Sequence, residues 1–129
     1  MHSWQGEPQV GAMIAIVDDD VAVREATKEL IGALGYRAAA FASAEEFLAS
    51  DQLDVTACLI TDVQMPGLSG VDLQRKLVAE GRNMPIIFIT AFADERTRKQ
   101  VLGAGAVGFL SKPCREELLI GCLSKALMS

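Results

Sequence analysis

With 129 residues, half of them apolar and 22% charged, the chain is long enough to bury one hydrophobic core and too ordinary in composition to be disordered. Its 17 acidic residues against 12 basic ones give a formal net charge of -5, and with no basic run anywhere this argues against direct contact with a nucleic-acid backbone. No apolar stretch can cross a bilayer and no signal-peptide pattern occurs, so a cytoplasmic protein with three reduced cysteines and no membrane contact is expected.

Residues 1–12 mix Gly, Pro and polar residues without periodicity and read as a loose tail before one domain over residues 13–129. Met13–Val17 is a short apolar run that stops at three acids, the pattern of a buried strand. Val23, Ala26, Leu30, Ile31 and Leu34 follow at helical spacing, and Gly35 stands where a helix-terminating glycine belongs. Tyr36–Phe41 is the second predicted strand, and Ser43 caps a short second helix with an acid at the capping-box position. Val55–Thr61 is a third strand ending at Asp62. Met65-Pro66-Gly67 is a turn before a helix from Val71 to Glu80. The fourth strand is Pro85–Thr90, followed by a mostly polar helix over Asp94–Leu102. Gly108–Ser111 is the fifth strand, and Arg115–Leu127 a helix whose face carries Leu118, Leu119, Cys122, Leu123, Ala126 and Leu127.

Apolar strands alternating with helices call for a parallel sheet covered on both faces. Five such units fit the flavodoxin-like doubly wound α/β class, five strands in order 2-1-3-4-5 with five helices. In such sheets the ligand crevice lies beyond the carboxyl ends of the strands, where the winding reverses, here between the first and third. That rule brings Asp18 and Asp19 beside Asp62, with Thr90 and Lys112 at the ends of the fourth and fifth strands.

Two carboxylates about 4 Å apart repel by roughly 4 kcal/mol at an effective dielectric of 20, so a proton must be shared or a cation held. An oxygen-only site with room for water and phosphate suits Mg²⁺, leaving one carboxylate free to attack phosphorus. Lys112 adds a positive charge and Thr90 a hydroxyl. Asp20 reads equally well as a helix N-cap.

The segments IVDDD, LITDVQMPGLSG, FITA and GFLSKP resemble the motifs of two-component response-regulator receiver domains, over about Ile14 to Leu127. The resemblance implies that Asp62 is the phosphoacceptor, phosphorylated by a sensor histidine kinase. Asp19 and Asp62 would then ligate Mg²⁺ directly, Asp18 through a metal-bound water, and Gln64 through its backbone carbonyl. Thr90 and Lys112 would bind the phosphoryl group, the Phe109 ring would report the switched state, and the Lys112–Pro113 bond would be cis. FASAEEFLAS and GAGAVGFLSKP are similar to receivers of the nitrogen-fixation-regulator type, which normally carry a LuxR-type DNA-binding domain. The chain ends directly after its last helix, so no output domain is expected within it.

His2 is the lone histidine and no Gly-rich ATP loop is present. The phosphoryl group must therefore come from another molecule, to a domain that assists only its own modification. Three alternatives compete. A haloacid-dehalogenase-like phosphatase also places an Asp-x-Asp after its first strand, but Ala22 stands where that motif wants Thr or Val. A flavin carrier would need a phosphate loop where three acids stand, and a phosphorylation-independent interaction module would not need the complete acceptor set. Asp94–Leu102 has Val101 and Leu102 as its only large apolar residues, so it is expected to be weakly anchored and to move with the fifth strand and fifth helix. Arg96, Arg98 and Lys99 could pair with Glu116 and Glu117 across a twofold axis, giving a phosphorylation-dependent homodimer. Cys114 follows Lys112-Pro113 at the crevice rim and reads as a small packing residue or a redox site; Cys58 and Cys122 read as core.

Overall fold

The structure, a computed structural model, describes residues 11–127. Five parallel strands form one sheet, β1 (Met13–Val17), β2 (Arg37–Phe41), β3 (Thr56–Thr61), β4 (Ile86–Thr90) and β5 (Gly108–Ser111), in the order β2-β1-β3-β4-β5. The helices are α1 (Val21–Ala33), α2 (Ala44–Leu48), α3 (Gly70–Ala79), α4 (Glu95–Gly103) and α5 (Glu116–Leu127). This is the flavodoxin-like arrangement expected from the alternation of elements. Among the described residues no helix is long and apolar enough to cross a membrane.

Successive residues of a strand face opposite sides of its sheet, and two cores result. Ile14, Ile16, Ile60, Ile87 and Ile89 meet Ile31 of α1 and Leu119 and Leu123 of α5 on one side. Ala15, Val17, Leu59 and Phe88 meet Phe47 of α2, Leu73 and Leu77 of α3 and Val101 of α4 on the other. Each Leu or Ile fully removed from water contributes roughly 2 kcal/mol. β1 is buried along its whole length, which explains its unbroken apolar run.

Local chemistry sets the helix ends. Asp20 caps α1, its Oδ1 accepting from the N–H groups of Ala22 and Val23 at 2.9 and 3.3 Å. Ser43 caps α2, and the carboxylate of Glu46 accepts from the Ala42 N–H at 2.7 Å. Ser69 and Asp72 form a reciprocal capping box at α3. Gly35 closes α1 at φ 94°, a conformation that favours glycine.

Several boundaries shift from the sequence reading. Val55 lies in a 3-10 turn, Leu53–Val55, and is 53% exposed, because β3 begins where Thr56 comes level with Met13 of β1. Tyr36 precedes β2 rather than opening it. Leu118 is 49% exposed and lies off the packed face of α5, which is carried by Leu119, Leu123, Ala126 and Leu127. Gly11 and Ala12 are held to the domain: the Gly11 N–H donates to Gly35, and the two carbonyls accept from the Arg37 side chain and backbone. The rest of the expected tail, residues 1–10, lies outside the described residues.

α3 and α4 are joined by a buried amide. Gln74, 2% exposed, donates its Nε2 to the Val101 carbonyl at 3.0 Å, and the same carbonyl accepts from the Ala106 N–H at 3.0 Å.

Candidate functional site

The carboxyl ends of β1, β3, β4 and β5 converge on one acidic crevice. Asp18 follows β1 and Asp62 follows β3, and the Asp62 N–H donates to the Val17 carbonyl at 3.0 Å, which fixes the two loops side by side. Carboxylate oxygens of Asp18, Asp19 and Asp62 lie within 4.8 Å of one another. Asp18 and Asp62 are buried, while Asp19 is exposed at the mouth.

Lys112, entering from the end of β5, places its Nζ 2.9 Å from Oδ2 of Asp18 and 2.9 Å from Oδ2 of Asp62. The second oxygens of both acids are also engaged. Asp18 Oδ1 accepts from the Asp20 N–H at 2.9 Å, and Asp62 Oδ1 from the Val63 N–H at 2.7 Å. One cation against three carboxylates leaves about two negative charges uncompensated. Burial pushes the Asp18 carboxyl above its ordinary value, against the lowering effects of the Asp20 N–H and Lys112. Burial pulls Lys112 down, but its hydrogen bonds to the two acids outweigh this and its value is raised. Three convergent carboxylates, one open to water, with no nitrogen or sulfur donor among them, are the donor chemistry of a hard divalent cation such as Mg²⁺.

The other expected residues lie on the elements around the crevice. Thr90, 1% exposed, ends β4, and its hydroxyl oxygen accepts from the Phe92 N–H at 3.1 Å, leaving the hydroxyl hydrogen available to an oxygen in the crevice. Phe109 pairs in register with Phe88 and packs, partly buried, against the α2–α3–α4 core. Thr90 lies two residues beyond Phe88 and so shares that sheet face. Gln64 stands exposed in the loop after Asp62. The Lys112–Pro113 peptide bond is cis.

The sequence matches the model of the family described as response regulator receiver domain over residues 14–124. The chain belongs to the response-regulator receiver family. TmoT, a response regulator protein of Ectopseudomonas mendocina, is 45% identical over 116 residues, which cover 90% of this chain and 53% of that one. Nodulation protein W of Bradyrhizobium diazoefficiens is 39% identical over 128 residues, covering 95% of this chain and 56% of the relative. Among solved structures, FixJ-N superposes with a TM-score of 0.78 at 35% identity, covering 91% of this chain and 96% of that one. The receiver thus spans about half the length of the curated relatives it matches. Receiver domains serve phosphorylation-dependent signalling in two-component systems, interact with histidine kinases and generally bind Mg²⁺ through an acidic pocket.

Two features of this receiver bear on the alternatives. The Asp20 carboxylate caps α1, its Oδ1 accepting from the Ala22 and Val23 N–H groups, which favours the N-cap reading of Asp20 over the second acid of a phosphatase Asp-x-Asp pair. Cys114 packs against the α1–α5 core, and burial raises its thiol; that favours the packing reading, since a redox-active cysteine needs ready access to its thiolate. Cys58 is pushed up to about 12 by burial and by Cys122.

Three side chains that serve the receiver's crevice and its flanking helices carry no signal in the sequence. Arg24 donates from α1 to the Asp18 carbonyl at 2.7 Å. Glu45 of α2 accepts from the Leu68 N–H at 3.0 Å. Gln74 ties α3 to α4. Each has a backbone group as its partner, and backbone groups are the same at every position.

Proposed function

We propose that Asp62 is the phosphoacceptor and that this receiver is switched by phosphoryl transfer from the phosphohistidine of a sensor histidine kinase. The observation that carries this reading is the placement of Asp62: an acid at the reversal point of the sheet, with Asp18 and Asp19 within 4.8 Å and Lys112 Nζ at 2.9 Å. An Asp62 oxygen forms a bond to phosphorus as the phosphorus–nitrogen bond of the donor breaks, its electron pair leaving with the imidazole. Asp18, Asp19, Asp62 and the Gln64 carbonyl would hold Mg²⁺, which would supply positive charge to the phosphoryl oxygens. Lys112, already within reach of Asp62, neutralises one of those oxygens. The Thr90 hydroxyl donates to another.

The same residues support a route for the signal. A phosphoryl oxygen above Asp62 draws the Thr90 hydroxyl inward, and Phe109 on the same sheet face fills the space left, altering the α4–β5–α5 surface. Local charge thereby biases a two-state element. That surface would control a downstream output. Of the residues that would join an ion-paired homodimer, Arg98 and Glu117 already have partners within the chain, Arg98 3.4 Å from Glu95 and Glu117 3.2 Å from Arg115; exposed pairs of this kind contribute little.

Intact-mass measurement after incubation with Mg²⁺ and acetyl phosphate is the direct test. One added phosphoryl group is expected on the wild type and none on Asp62→Asn. Undiminished labelling of Asp62→Asn would move the acceptor elsewhere.

A further inference from the structure

The loop between Asp62 and α3 carries Gln64 and is tied firmly at its two ends. The Asp62 N–H is bonded to β1, and the Gly70 N–H donates to the Val63 carbonyl at 2.8 Å. A Cβ at Gly70 would collide with the Asp62 carbonyl, so the start of α3 lies hard against the acceptor residue. The middle of the loop is different. Among the described residues, the one hydrogen bond that joins Gln64–Leu68 to another element runs from the Leu68 N–H to Glu45 Oε2, across 23 residues of sequence. Glu45 stands in the first turn of α2, beyond β2 at the sheet edge. Beside it Gly67 turns at φ 78°, and a side chain there would run into the Glu45 carboxylate. Loop and carboxylate are therefore shaped to each other at two successive residues.

We propose that Glu45 is a positioning residue for the metal site: its carboxylate holds the Leu68 N–H and thereby fixes the loop that presents the Gln64 carbonyl to the acidic crevice. The role rests on the reading of that crevice given above. It is reciprocal, because a group that fixes a loop for a ligand is itself held more firmly when the ligand binds. Occupation of the crevice should therefore be felt at α2. Glu45 touches none of the three acids, so it acts through backbone geometry, as outer partners of metal ligands do elsewhere.

Calorimetric titration of Mg²⁺ into wild type, Glu45→Gln and Glu45→Ala separates this role from simple charge. Glu45 is exposed, α2 keeps its Ser43 cap and Glu46 in the alanine variant, and melting curves run in parallel show that each protein is folded. Glutamine retains the accepting oxygen and is expected to bind Mg²⁺ nearly as wild type does. Alanine is expected to weaken binding about fivefold, the factor equivalent to one ordinary hydrogen bond. In the amide spectrum, the resonances of Leu68 and of α2 should move with Mg²⁺ in wild type and Glu45→Gln, and α2 should stay still in Glu45→Ala. If glutamine loses as much as alanine, the carboxylate acts by charge and the positioning role is overturned. If alanine binds Mg²⁺ as tightly as wild type, it is overturned likewise. A wild type that fails to bind Mg²⁺ at all would instead remove the metal site, and this role with it.

Discussion

α3 and α4 cover the same face of the sheet, yet they are held to it very differently. α3 begins with a reciprocal capping box and buries Gly70, Leu73, Gln74 and Leu77. α4 buries Val101 alone, near its C-terminal end, and its first six residues are all polar or charged. Burial of apolar surface is the main favourable term in holding a helix to a sheet, so the two neighbours are anchored by quite unequal free energies. The difference follows the site. α3 abuts the loop of the proposed acceptor Asp62, a role that requires the loop to be held still. α4 lies between Thr90 and the strand that bears Phe109, where the proposed switch requires movement.

The largest expected effect is on stability. Leu73→Ala or Leu77→Ala should each cost about 3 kcal/mol, measured by urea unfolding. Leu102→Ala on α4, at a half-buried position, should cost less than about 1 kcal/mol. Equal losses on the two helices would break the comparison. Hydrogen exchange should show a smaller but more informative contrast. With beryllofluoride as a phosphoryl mimic, protection is expected to change across α4 and β5 and to stay constant within α3. Changes confined to the surroundings of Asp62 would rule out the Thr90–Phe109 route.

The smallest effect concerns pH. The Asp94 carboxylate accepts from the Thr97 N–H at 2.8 Å, and this bond, aided by the Thr97 hydroxyl, holds Asp94 below its ordinary value of 3.8. The folded state therefore favours the charged cap. Its contribution is complete above the ordinary value and is lost as pH falls through the lowered one. The N-cap acceptor of α3 is the Ser69 hydroxyl, which does not titrate in this range, and the carboxylate of its capping box, Asp72, meets the Ser69 N–H only at 3.5 Å. Between about pH 6 and pH 3, carbonyl chemical shifts of residues 95–101 should drift toward coil values more than those of residues 73–77. Asp94→Asn, a cap without a charge to lose, should remove that excess drift.

Where the sequence was legible, a one-dimensional pattern had a single physical cause. Buried parallel strands are continuous apolar runs, so β1 and β4 were visible almost to the residue. The acids, threonine and lysine of the crevice were visible because each ends such a run. The weak anchoring of α4 could be read from Val101 and Leu102. Elsewhere a residue's role depends on a distant partner. Val55 resembles a strand residue, but the neighbouring strand decides where pairing starts. Leu118 has the spacing of a core residue, yet α5 turns Leu119 and Leu123 to the core and leaves it half exposed. The capping box of α3 was written as Ser-x-x-Asp, yet the glycine at its second position drew the expected helix start to Val71. Glu45 and Gln74 could not have been found from composition or period.

The Gln74 amide has a geometric consequence for α4. With Val101 held both by the sheet core and by Gln74, the helix is clamped near one end and resembles a lever with its fulcrum at Val101. Glu95 lies six residues away, an arm of about 9 Å at 1.5 Å per residue. A tilt of 10° about that fulcrum would carry the Glu95 end through roughly 1.6 Å while Leu102 and Gly103 scarcely move. A tilt of this kind would be concentrated on the charged outer face formed by Glu95, Arg96 and Lys99, with the core beneath left undisturbed.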